Sequence, residues 1–63
     1  MSKTEQALSK LNDRAKLQVD FFKSHNGEPF ASNDKALGYL YALVDCGVIT
    51  EAERRLIFCY ITI

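Results

Sequence analysis

Residues 36–63, ALGYLYALVDCGVITEAERRLIFCYITI, decide the fold. Gly47 closes a run with helical spacing of apolar residues, and glycine takes the left-handed backbone that ends a helix without a Cβ clash. Three residues later Thr50-Glu51-Ala52-Glu53 has the form of a capping box, in which Thr50 accepts from the Glu53 amide and Glu53 reaches back to the Thr50 amide. Glu51 and Glu53 also set negative charge against the positive end of the helix dipole. The stretch reads as helix, glycine turn, capped helix, over about 33–46 and 51–61, with Val48 and Ile49 plugging the open end of the hairpin.

Within the first of these helices Ala36, Leu37, Leu40, Tyr41 and Val44 share one arc, with Leu43 at its edge, and form the central core element. Gly38 and Ala42, four apart on the other side, make a small-residue notch that predicts a close helix contact. The second helix is apolar almost all round. Ala52, Leu56, Cys59, Tyr60 and Ile63 serve a core arc, and Ile57, Phe58 and Ile61 then face away from it. A helix of that kind is not finished by one chain, so the spacing predicts a homodimer. The rival reading makes LIFCYITI a strand, since it is rich in β-branched and aromatic residues.

Upstream, Ser24-His25-Asn26-Gly27-Glu28-Pro29 is a loop, with Asn-Gly favouring a turn and Pro29 blocking a helix. His25 is read as a solvated loop residue. Phe30 is expected to fold back as an anchor before Ser32, Asn33 or Asp34 caps the next helix. Ser2-Lys3-Thr4-Glu5 is a second capping box, and no Gly or Pro follows until Gly27, which predicts one long helix over about 3–23. Its core stripe is Ala7, Leu8, Leu11, Ala15, Val19 and Phe22. Asp13, Lys16, Asp20 and Lys23 stand three or four apart and compensate one another. Leu17 and Phe21 fall off the stripe, beside Lys3, Lys10 and Arg14, as a second apolar spot suited to an interface.

A chain of 63 residues is one domain whose core needs supplementing, here by oligomerisation. Eight basic and eight acidic residues leave no global field to draw in nucleic acid or acidic lipid. No apolar run approaches the ~18 residues of a membrane span, and a cytoplasmic protein is expected. Cys46 at the turn and Cys59 roughly 12 Å along the last helix are too far apart to bridge and read as buried thiols. Neither has a His or second Cys at metal-ligand spacing. No phosphate loop, metal motif, nucleophile pattern or isolated carboxylate pair is present, so no enzyme and no cofactor is expected.

Two classes of function remain, a protein-interaction module and a helix-turn-helix regulator that binds DNA. In the second the last helix would enter the major groove, with Lys10, Arg14, Arg54 and Arg55 as candidate nucleic-acid contacts. Its opening turn, Glu51-Ala52-Glu53, is acidic where DNA is acidic, which favours the interaction module.

ALVDCGVITEAE resembles the short C-terminal (SHOCT) hairpins in Leu40, Leu43, Gly47, Val48, Ile49, Thr50, Glu51 and Glu53, with Arg54 where that pattern has an aromatic. That resemblance covers under half of the chain and implies an oligomerisation or docking module. The whole chain, beginning MSKTEQALSKLNDRAKLQVDFF, is similar to the small helical proteins encoded between exo and xis in lambdoid bacteriophages. This similarity implies a phage early protein that favours lytic development or alters host physiology, in the bacterial host cytoplasm, by contacts with other proteins that could include a host protein. The expected architecture is all-α: a long N-terminal helix packed on a helix-turn-helix hairpin, three helices in one domain. It is expected to pair as a homodimer through Ile57, Phe58 and Ile61 with help from Leu17 and Phe21.

Overall fold

The computed structural model describes residues 2–63, and the described residues are helical, without strands. Four α-helices follow one another: α1 (Lys3–Ser9), α2 (Asp13–Ser24), α3 (Asn33–Asp45) and α4 (Glu51–Thr62), with a 3-10 turn at Pro29–Ala31 ahead of α3. The hairpin of α3 and α4 forms as its local signals predict. Gly47, at φ +78°, closes α3, its amide donating to the Val44 carbonyl while the Val48 amide reaches back to Leu43. Together these two bonds satisfy carbonyls that a helix end leaves open. Thr50 and Glu53 complete the capping box, at 3.2 Å from the Glu53 amide to Thr50 Oγ1 and 2.7 Å from the Thr50 amide to Glu53 Oε1. Residues 56–62 continue the helix, which removes the strand reading.

The long N-terminal helix does not exist as one rod. It breaks between Ser9 and Asp13, where Asn12 takes an extended backbone and its Oδ1 accepts from the Ala15 amide at 2.8 Å. Lys10 and Leu11 tighten the end of α1 by donating to Ala7 and Leu8. Asn followed by Asp is a helix start in its own right, because the short side chain competes with the preceding turn for backbone amides. The break also shortens the molecule. A straight helix over 3–23 would run about 32 Å at 1.5 Å per residue, whereas the longest dimension of the molecule is 28 Å.

Breaking the rod changes what α4 touches. With α1 folded back, α4 packs against α1, α2 and α3, and these are the substantial helix contacts in the molecule. The core is Ala7 and Leu11; Ala15, Val19 and Phe22; Ala31, Ala36 and Leu40; and Ile49, Ile57 and Ile61. Ile57 is 0% and Ile61 1% exposed, and Phe58 packs partly buried against them. The expected homodimer surface of Ile57, Phe58 and Ile61 is therefore interior to one chain. Of the arc expected to face the core, Ala52 and Cys59 are exposed and Ile63 is 95% exposed, while Leu56 and Tyr60 are half-buried and Tyr60 packs against the core. The apolar surplus that called for a second chain is covered by α1.

Gly38 is also not what the spacing suggests. It lies on the solvent side of α3 with Ala42 exposed beside it, and nothing stands within 4 Å of where a Cβ would be. No close helix contact forms at this notch. The glycine brings only the backbone entropy of a flexible residue to a helix interior. Gly38→Ala is expected to raise stability by up to about 1 kcal/mol, read as a higher urea midpoint at unchanged slope. A lower midpoint would mean that something does pack there.

Candidate interaction surface

Both ends of α4 are tied down by polar groups from elsewhere in the chain. At its start, Lys10 Nζ lies 2.6 Å from Glu53 Oε2, so that one carboxylate both caps α4 and holds the end of α1. The next residue, Arg54, donates through Nε and Nη2 to Glu51 Oε1, one turn back, at 3.0 and 2.7 Å. Its guanidinium, buried, also stacks 4.8 Å from the centre of the Tyr41 ring. Tyr41, expected in the core, is an exposed platform for this cation. At the other end, Lys23 donates to the Tyr60 carbonyl at 2.8 Å and sits 4.2 Å above the Tyr60 ring. The ammonium thus meets the negative end of the α4 dipole.

These pairings shift the carboxylates. The hydrogen bond from Arg54 holds the Glu51 carboxyl below the ordinary value of 4.5, and the one from Lys10 does the same for Glu53. Because both groups bind protons less readily folded than unfolded, the stability they add is complete above about pH 5 and is lost as pH falls through their lowered values. Thermal unfolding followed by circular dichroism should show a midpoint that is flat from about pH 7 to 5 and falls below it. The Glu51→Gln/Glu53→Gln protein should show a smaller fall. An equal fall in both proteins would place the acid sensitivity elsewhere.

The same pairings decide the fate of the candidate nucleic-acid contacts. Lys10 and Arg54 are committed to Glu53 and Glu51, and Arg54 is buried. Arg55 lies 3.7 Å from Glu51, and Arg14 is exposed on another helix. The four cations do not form one free basic face. The opening turn of α4, the part a major groove would receive, carries Glu51 and Glu53.

The fold also leaves an apolar strip uncovered. Leu17 is 71% exposed on the outer face of α2, Phe21 one turn later is 38% exposed, and Phe30 on the 3-10 turn is 52% exposed. Phe30 does not fold back as a core anchor; Ala31 next to it takes that place at 1% exposure. Instead the Phe30 ring lies 5.8 Å from that of Phe21 and 5.4 Å from that of His25, which in turn stacks 4.8 Å from Phe21. The three rings touch one another and leave no space between them for a ligand. The result is a raised, contiguous surface. Leu17 and Phe21 stand out in the sequence because they fall off the core stripe. Phe30 does not, because its exposure depends on how the loop after α2 turns.

No cavity opens among the described residues, and no group of three His, Cys, Asp or Glu side chains lies close enough to hold a metal ion. Cys46 and Cys59 are free thiols, and both are exposed rather than buried as expected. No described helix is long and apolar enough to cross a membrane. No family model, curated protein or solved structure matches the chain.

Proposed function

We propose that this chain is a small non-enzymatic regulator that works by binding protein, with the outer face of α2 and the neighbouring 3-10 turn as its contact surface. The observation that carries this reading is the exposure of Leu17, Phe21 and Phe30 side by side in so short a chain. A surface of three large apolar side chains is retained at a cost in solubility, and covering each one would contribute about 1 to 3 kcal/mol. The similarity to the exo–xis proteins of lambdoid phages supplies the setting: an early protein that bends host physiology or the lytic decision by contact with other proteins. A helix-turn-helix reading finds less support, since its best cations are spent on Glu51 and Glu53.

The test is affinity capture from nuclease-treated bacterial lysate with the wild-type chain and with Leu17→Glu. A protein held by the first and lost from the second is the expected result. Capture that ignores the substitution would remove this surface from the reading, and a salt-sensitive shift of duplex DNA would move the assignment to a DNA-binding regulator.

A further inference from the structure

The loop after α2 carries chemistry of its own at Asn26-Gly27. We infer that this pair is a site of spontaneous backbone modification, in which Asn26 closes on the Gly27 amide to a cyclic imide that opens to aspartate and isoaspartate, at a rate restrained by Asn33. The reaction consumes only water. The deprotonated Gly27 nitrogen attacks Asn26 Cγ, a C–N bond forms, the Cγ–Nδ2 bond breaks, and ammonia leaves with the proton that the amide gave up. Water then opens the imide at either carbonyl. Opening at Cγ leaves aspartate, whereas opening at the main-chain carbonyl leaves the backbone running through Cγ, which is isoaspartate.

Sequence and geometry single out this asparagine among the three in the chain. Glycine puts no side chain beside the attacking nitrogen, whereas Asn12 and Asn33 are each followed by an aspartate. Asn12 Oδ1 is engaged with the Ala15 amide as the cap of α2, and Asn33 is the first residue of α3. Asn26 and Gly27 are both exposed. The Glu28 amide donates to the His25 carbonyl at 3.0 Å, and Gly27 has φ +92°, the positive value that the third position of such a turn requires. Nothing stands within 4 Å of where a Gly27 Cβ would be, and the Gly27 amide donates to no acceptor among the described residues. The nucleophile is bare.

The restraint lies on the other reacting group. Asn26 Nδ2 donates to Asn33 Oδ1 at 2.6 Å, and ring closure needs that side chain over the Gly27 amide instead, so this bond must open first. Because the bond is exposed, its release is expected to speed closure about two- to fivefold, the low end of the effect of a net hydrogen bond. The isoaspartyl product adds a methylene to the backbone between α2 and Pro29–Ala31, the connection that sets Phe30 beside Phe21 and His25.

Ageing the purified chain in mildly alkaline buffer, then mapping its tryptic peptides by tandem mass spectrometry, tests the site and the restraint together. Isoaspartate, read by its labelling with an isoaspartyl methyltransferase, should accumulate at Asn26 and not at Asn12 or Asn33. Asn33→Ala should raise the rate at Asn26 about two- to fivefold with unchanged circular dichroism, since Ser32, the cap of α3, is untouched. Asn33→Asp keeps an acceptor for Asn26 Nδ2 and should hold the rate at or below that of the unaltered chain. Aspartate without isoaspartate at Asn26 would mean direct hydrolysis and overturn the imide route. Equal modification at Asn12 and Asn33, or an Asn26 left intact while the urea-unfolded chain is converted, would overturn the assignment to this turn. A rate that ignores Asn33→Ala, or rises in Asn33→Asp, would overturn the restraint.

Discussion

Ile57→Ala should bring the chain to the edge of unfolding. The side chain is 0% exposed at the centre of the core, and truncating a buried isoleucine to alanine costs about 2 to 5 kcal/mol because the surroundings collapse only partly into the space. Total stability at about 0.05 to 0.15 kcal/mol per residue comes to only about 3 to 9 kcal/mol for a domain of this size. Urea unfolding followed by circular dichroism should show a midpoint lowered by half or more, or no folded baseline. The same experiment separates two views of this helix. Were Ile57 part of a subunit interface, its truncation would change the sedimentation of the protein and leave the unfolding of the monomer nearly untouched.

Lys23→Met should lower stability by about 2 kcal/mol, the scale of a hydrogen bond from a charged donor to a partly buried acceptor. Methionine keeps the length and the apolar stem of lysine, so the loss reports the ammonium rather than the packing. What disappears is the bond to the Tyr60 carbonyl, the contact with the Tyr60 ring and the positive charge at the end of α4. Fraying should follow in the last turn. Amide exchange at residues 60–62 should speed up more than exchange in α3, and uniform acceleration across all helices would show that Lys23 holds the whole fold rather than this one end.

The parts of the structure written in short-range chemistry were legible in the sequence. Thr50 with Glu53 and Ser2 with Glu5 each form the capping box that their spacing predicts, and Gly47 takes the positive φ that its place after a helix requires. The break in the N-terminal helix was hidden because Ala7, Leu11 and Ala15 are spaced four apart and keep the helical rhythm running through it. Its signal was Asn12-Asp13, a start site competing with that rhythm. The second miss followed from the first. With a straight rod, α4 has too few neighbours and its second apolar side must look outward; with α1 folded back, Ile57 and Ile61 face inward and Arg54 is buried with them. Periodicity cannot choose a face on a helix that is apolar all round. Of the candidate contact surface, Leu17 and Phe21 were legible as residues off the stripe, and Phe30 had to await the path of the loop.

Since α1, α2 and α3 each make their main contacts with α4, the order of synthesis matters. Chains are made from the N-terminus onward, and the element that joins the others is made after all three of them. Until residues 51–62 leave the ribosome, the three earlier helices have little to hold them to one another, and none is long enough to persist in water alone. Folding of these helices is thus deferred until α4 has been made. A truncation that removes α4 yields an open chain for the cell's proteases rather than a smaller folded protein.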